Sequence, residues 1–240
     1  MQKEGHKQSG QQGVSIRISY LVCVQSIGHV RTHKNSAYLK KCRKENMNYN
    51  ENDARADIDR ISSETELYDR MIQVAAIITK LMEGHVKVSD LPIIVGGLSM
   101  EIYTESKYTT HDIDFVTSAS KEMEEKLLAI GFENSERVFQ HKRLNVAVDI
   151  VDSVLEPSDY DGLTKLEVDN DKYIYVQSIE SILYDRVLDY ERVDNELYSV
   201  YLISIAYDEI DFDYLKREVK TADPDALIAL EKWIEKALEN

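Results

Sequence analysis

Between Ala54 and Glu83 the apolar residues Ile58, Ile61, Leu67, Met71, Val74, Ala75, Ile78 and Leu81 recur mostly at three- and four-residue steps. That spacing predicts a helix with one buried face, and Gly84 supplies its stop. The next apolar run, Leu91 to Val95, is short and β-branched, so it predicts a buried strand ending at Gly96-Gly97. A helical turn or two is expected over Leu98 to Thr104. His111 to Val116 alternates polar and apolar positions, the period of a strand. An acidic helix follows from Ser120 to Ile130, with Met123, Leu127 and Ile130 on one face and Gly131 as its stop. Further strands are predicted over Val138–Gln140, Asn145–Val151 and Tyr173–Val176. From Ser178 onward the period is helical, through Ile179, Ile182, Leu183, Val187 and Leu188, then Leu197–Ala206 and Ala226–Leu238. Asp223-Pro224 reads as cap and first helical residue of the last helix.

The order of elements predicts an α/β chain of the α+β kind: a leading helix, a mixed core, and a helical C-terminal part. The predicted segments are 1–46, 47–177 and 178–240. A chain of 240 residues with 43% hydrophobic content is long enough to bury a real core. No run approaches the apolar length of a membrane span, so no membrane association is expected.

Charge separates the first segment from the rest. Residues 1–46 carry nine Lys/Arg against Glu4 and Glu45, a balance of +7, while the remainder holds 20 basic and 42 acidic residues, a balance of −22. Both cysteines, Cys23 and Cys42, fall in the basic segment, so the body has no disulfide option, which suits a cytoplasmic protein. The segment 1–46 lacks sustained periodicity and a convincing leader cleavage site, and reads as a flexible extension. The competing reading is a basic arm for nucleic acid, since clustered positive charge binds phosphates without sequence preference.

The candidate chemistry starts at the glycine pair. Residues two apart on a strand share a face, so Asp112 and Asp114 present their carboxylates together while Ile113 and Phe115 point to the core. Adjacent carboxylates repel unless a positive charge lies between them, and Mg²⁺ is the natural partner because it prefers oxygen ligands and is shared with phosphates. Asp149, on a later strand, can reach the same metals if the strands are neighbours. Asp152 has the opposite parity and is the weaker choice. Three such carboxylates suffice for two metal ions. Gly96 and Gly97 let the backbone approach a phosphate, and the helix that follows offers unpaired N–H groups. Ser99 adds a hydroxyl, and Lys107, Lys142 and Arg143 are the nearest cations for a triphosphate tail.

Gly96-Gly97-x-Ser99, Asp112-x-Asp114 and the later Asp149 together resemble the nucleotidyltransferase superfamily of DNA polymerase beta. Within it, Tyr103-Thr104, Tyr108, Thr110 and Asp112-Ile113-Asp114-Phe115 are most similar to small prokaryotic members related to the AbiE toxin and to minimal nucleotidyltransferases. Ser178-x-Glu180 and Asp185-Arg186 are similar to a helix which those proteins place after the catalytic core. The resemblance spans about Pro92 to Arg186. It implies a nucleotidyltransferase-like mixed sheet with flanking helices, in which Gly96, Gly97 and Ser99 bind the triphosphate. It further implies that Asp112 and Asp114 bind metal and that Asp149, the third carboxylate, helps activate an acceptor hydroxyl. One departure is Met100-Glu101, where other branches often carry a basic residue; Lys107 is the nearest replacement.

Other polar residues read as structural. Glu180 and Asp185 are expected to pair with Arg186 on a helix surface. His111 should face away from the aspartates, and His85 and His141 lack the spaced partners of a zinc site. No nucleophile elbow or Walker loop is present. The expected reaction is Mg²⁺-dependent transfer of a nucleoside monophosphate from a nucleoside triphosphate to a hydroxyl acceptor. The acceptor can be a small cationic molecule, a protein or a tRNA, the last requiring the basic arm. The alternative is a non-catalytic interaction protein with the same fold, such as one half of a toxin–antitoxin pair.

Overall fold

The computed structural model of the chain describes residues 49–104, 106–155, 162–169 and 171–239. The basic segment 1–46 lies outside them, and so do both cysteines. Helices α1 (Glu51–Arg60) and α2 (Leu67–Glu83) open the described chain. The predicted single helix is therefore broken between them. Ser62 Oγ accepts from the Glu64 N–H at 3.2 Å, a local bond that competes with helix continuation. The break keeps Ile61 buried, and α1 folds back to pack on α2, which lies on the sheet. From Met71 to Met82 every residue of α2 except Gln73 is buried, the mark of a helix at the centre of a fold.

Seven strands form one mixed sheet: β1 (Ile93–Val95), β2 (Asp112–Val116), β3 (Glu133–Ser135), β4 (Val138–His141), β5 (Val146–Asp152), β6 (Thr164–Asp169) and β7 (Lys172–Val176). Their spatial order is β3-β4-β5-β2-β1-β7-β6. β2 runs parallel to β5 and β1 parallel to β7; the other neighbours are antiparallel. The edge strands β3 and β6 are not among the strands expected from the sequence: Glu133-Asn134-Ser135 has no apolar residue to bury, whereas β6 does alternate, burying Leu166 and Val168.

The two faces of the sheet differ. On one, Ile94, Ile113, Phe115, Val146 and Val148 join α1, α2 and α4 (Ser120–Ala129) in the main core. On the other, Ile93, Val95 and Val116 make only a small cluster. The same face carries Asp112 and Asp114. Strands end at Val176, and Ser178 caps α5 (Ile179–Leu188) by accepting from the Ser181 N–H. α6 (Val193–Ala206), α7 (Phe212–Ala222) and α8 (Pro224–Leu238) complete the C-terminal part around Leu183, Leu202, Leu215, Leu230 and Trp233. Asp223 caps α8 with Pro224 in its first turn, as its sequence predicts. The short helix α3 (Gly96–Tyr103) joins the two cores: Leu98 and Ile102 belong to the first, Met100 to the second. The chain is thus mixed α/β of the α+β kind. Among the described residues no helix is long and apolar enough to cross a membrane.

Candidate active site

The site lies where β1 turns into α3 above the middle of the sheet. Strand register puts Asp114 opposite Asp149 on the parallel neighbour, and Asp112 opposite Ala147. Side chains directly opposite share a face, so all three carboxylates project to the side away from Ile113 and Phe115, which are fully buried. A register shift after Phe115 sets Asp152 opposite Val116. Parity therefore does not separate Asp152 from the others; its exposed place at the strand end does.

Each aspartate has a defined support. Thr110 Oγ1 donates to Asp112 Oδ1 at 2.8 Å, and the Thr110 N–H donates to Glu101 Oε2 at 3.0 Å. Glu101 is buried, and burial holds its carboxyl above the usual range. Glu101 thus pins the loop that aims Asp112. Asp114 accepts from the Gly97 N–H, yet its carboxyl is pushed up to about 6. Burial contributes most, the Asp112 charge next, and Asp149 adds to it, while Arg186 opposes.

The glycine pair is required by these same contacts. Gly96 has φ +63°, and a Cβ there would run into the Asp114 carboxylate. A Cβ on Gly97 would come within 2.6 Å of Thr110 Oγ1. The missing side chains let the Asp114 carboxylate and Thr110 pack directly against the start of α3.

The other residues expected to bind phosphate lie differently. Ser99 is fully buried, with its hydroxyl donating to Gly96 O at 2.7 Å and accepting from Gln177 Nε2 at 2.9 Å. It braces the glycine turn and does not face the site. Lys107 is exposed on the turn after α3. Lys142 pairs with Glu133 at 2.5 Å, and Arg143 donates to the carbonyls of Ile58 and Ile61, so neither serves the site. His111 is exposed, and His141 is buried beside Phe132 with Nδ1 accepting from the Leu144 N–H.

A cation beside the glycine turn is Arg186, expected from the sequence to pair on a helix surface. Arg186 of α5 lines an open cleft of about 210 Å³ together with Gly96, Gln177, Asp189, Arg192 and Asn195, and Asp185 also lies on its wall. The Arg186 guanidinium sits 5.3 Å from the Tyr108 ring centroid and is felt by Asp114. Its signal in the sequence is the Asp185-Arg186 pair, but only the packing of α5 against α3 turns Arg186 toward the glycines. Glu180, by contrast, accepts from the Asp211 N–H and is structural.

A hard divalent cation fits the donor set, which is all oxygen and carries excess negative charge that raises Asp114. Among the described residues no three His, Cys, Asp or Glu side chains are gathered tightly enough to hold a metal as they stand. The three aspartates share a face and a field without closing on a common point. No family model, no curated protein and no solved structure matches the chain.

Proposed function

We propose that this chain is a Mg²⁺-dependent nucleotidyltransferase of the DNA polymerase beta type, moving a nucleoside monophosphate from a nucleoside triphosphate to a hydroxyl acceptor. The observation that carries the reading is the alignment of Asp112, Asp114 and Asp149 on one face of two parallel strands, beside the glycine turn of α3. In the reaction the acceptor oxygen bonds to the α-phosphorus, pyrophosphate leaves, and the hydroxyl proton passes to a carboxylate. Asp112, Asp114 and Asp149 would hold the cation, which when bound neutralises the carboxylates and the phosphates. Arg186 faces the cleft beside Gly96, where its guanidinium suits the charged tail of the nucleotide. Thr110 and the Gly97 N–H orient Asp112 and Asp114, so catalysis would rest on positioning and charge.

The balance of −22 outside the basic segment favours a cationic acceptor over a free polyanion. A tRNA or protein hydroxyl is the competing acceptor. A second reading, nucleotide binding without turnover, draws on Ser99, whose hydroxyl is turned into the fold.

The test is transfer of label from each α-labelled nucleoside triphosphate, with Mg²⁺, to pools of amino-sugars, tRNA and protein, read beside pyrophosphate release. Label and pyrophosphate that both vanish in Asp112→Asn/Asp114→Asn support the transferase. Tight nucleotide binding without pyrophosphate favours the second reading. A folded protein that neither binds nor turns over nucleotide overturns both.

A further inference from the structure

Asn195, the third residue of α6, is 2% exposed, and both ends of its amide are engaged. Nδ2 donates to the Asp189 carbonyl, at the C-terminal cap of α5, at 2.8 Å. Oδ1 accepts from Arg186 Nη1 at 2.9 Å. The opposite amide orientation would set an NH₂ against the guanidinium and an oxygen against a carbonyl, so these partners fix it. On its other side Arg186 lies over Tyr108, which is braced edge-on by Tyr198 with ring centroids 4.8 Å apart.

The neighbouring arginine of the cleft is held otherwise. Arg192 Nε is 3.8 Å from the Asp189 carboxylate, so its charge is partly offset. Asn195 and Tyr108 are neutral, so they order the Arg186 guanidinium without adding a counter-charge to the one it feels from Asp114. A guanidinium has five N–H donors, and the one given to Asn195 leaves others for a ligand. Only an amide serves this place: aspartate lacks the donor for the Asp189 carbonyl and would neutralise the arginine.

We infer that Asn195 is the positioning residue for Arg186, holding its guanidinium ordered and outside any close ion pair among the described residues, at the cleft, for the phosphate chain of a ligand. The inference rests on the reading of Arg186 given under the proposed function. It adds that the clasp between α5 and α6, and not the glycine turn alone, sets affinity for the anion.

The test is a double-mutant cycle on the full chain with inorganic tripolyphosphate, without metal, as the probe, and thermal unfolding of every variant as a control for folding. Asn195→Ala weakens tripolyphosphate binding about tenfold in the wild-type background, the scale of one hydrogen bond to a charged group. In the Arg186→Ala background it weakens binding less than about twofold, because the residue it positions is gone. Asn195→Asp also weakens binding, by setting a negative charge on the guanidinium, and decides the matter if Asn195→Ala does not fold. Equal losses in both backgrounds, or wild-type affinity in Asn195→Asp, overturn the inference. Coupled tripolyphosphate binding without nucleotide turnover upholds the clasp and sinks the transferase. Turnover with affinity indifferent to Asn195 sinks only the clasp, and a wild-type chain that binds neither tripolyphosphate nor a nucleoside triphosphate sinks both.

Discussion

Two clefts of this molecule, each about 210 Å³, use charged residues in opposite ways. The first, on the α1 side, is lined by Asp57, Arg60, Asp169 and Lys172. There Lys172 Nζ is 3.1 Å from Asp57 and 3.8 Å from Asp169, and the Tyr49 hydroxyl donates to Asp57 at 2.8 Å. Burial alone would raise the Asp57 carboxyl, but Tyr49 and Lys172 outweigh it and hold the carboxyl below its usual range. Beside the second cleft, three aspartates crowd one face of the sheet and the Asp114 carboxyl is pushed up to about 6. The first arrangement spends its charges on the fold. The second keeps carboxylates close together at a cost in stability, an arrangement that a bound cation would relieve.

The comparison predicts opposite signs for like substitutions, and its sharpest probe is the glycine turn. Gly96→Ala forces a side chain into positive φ and onto the Asp114 carboxylate, so urea unfolding should show a loss of about 3 kcal/mol. Asp57→Asn, in the paired cleft, should destabilise by about 1 kcal/mol at neutral pH, by the same assay. Asp114→Asn should stabilise by about 1 kcal/mol after allowance for solvent screening, while removing any response to Mg²⁺ and nucleotide.

The pH dependence separates the last two. The folded pKa of Asp114 is raised, so the native state binds the proton more tightly, and its stability penalty is complete above about pH 6. The gain from Asp114→Asn should therefore fade as pH falls from about 6 toward 3.8. The Asp57 carboxyl is lowered, so its contribution is present at neutral pH and is lost as pH falls through the folded pKa. Stability curves of the two variants that shift in the same direction at pH 7 would break the contrast.

Much of the candidate site's geometry was legible because it lies on regular elements. Alternation in β2 fixes the shared face of Asp112 and Asp114, and the glycine pair marks a turn that no other residue fits. Asp149 needed one further fact, the pairing of β5 with β2, which no local pattern carries. The inward turn of Ser99 was not legible, because residue type says nothing about which way a hydroxyl points; Gly96 O and Gln177 take it inward. Arg186 was read as surface because helical periodicity gives a face, not its neighbour, and that neighbour is a strand-to-helix turn far back in the chain. The break at Ser62 and the edge strand β3 were hidden for a simpler reason: neither depends on buried apolar residues.

The most direct test of the central claim is calorimetric titration of the full chain with each nucleoside triphosphate and Mg²⁺, beside Asp112→Asn/Asp114→Asn. The account predicts metal-dependent binding of at least one nucleotide, absent from a variant that is folded. Binding that persists unchanged in the variant, or no binding by the folded wild type, would contradict it.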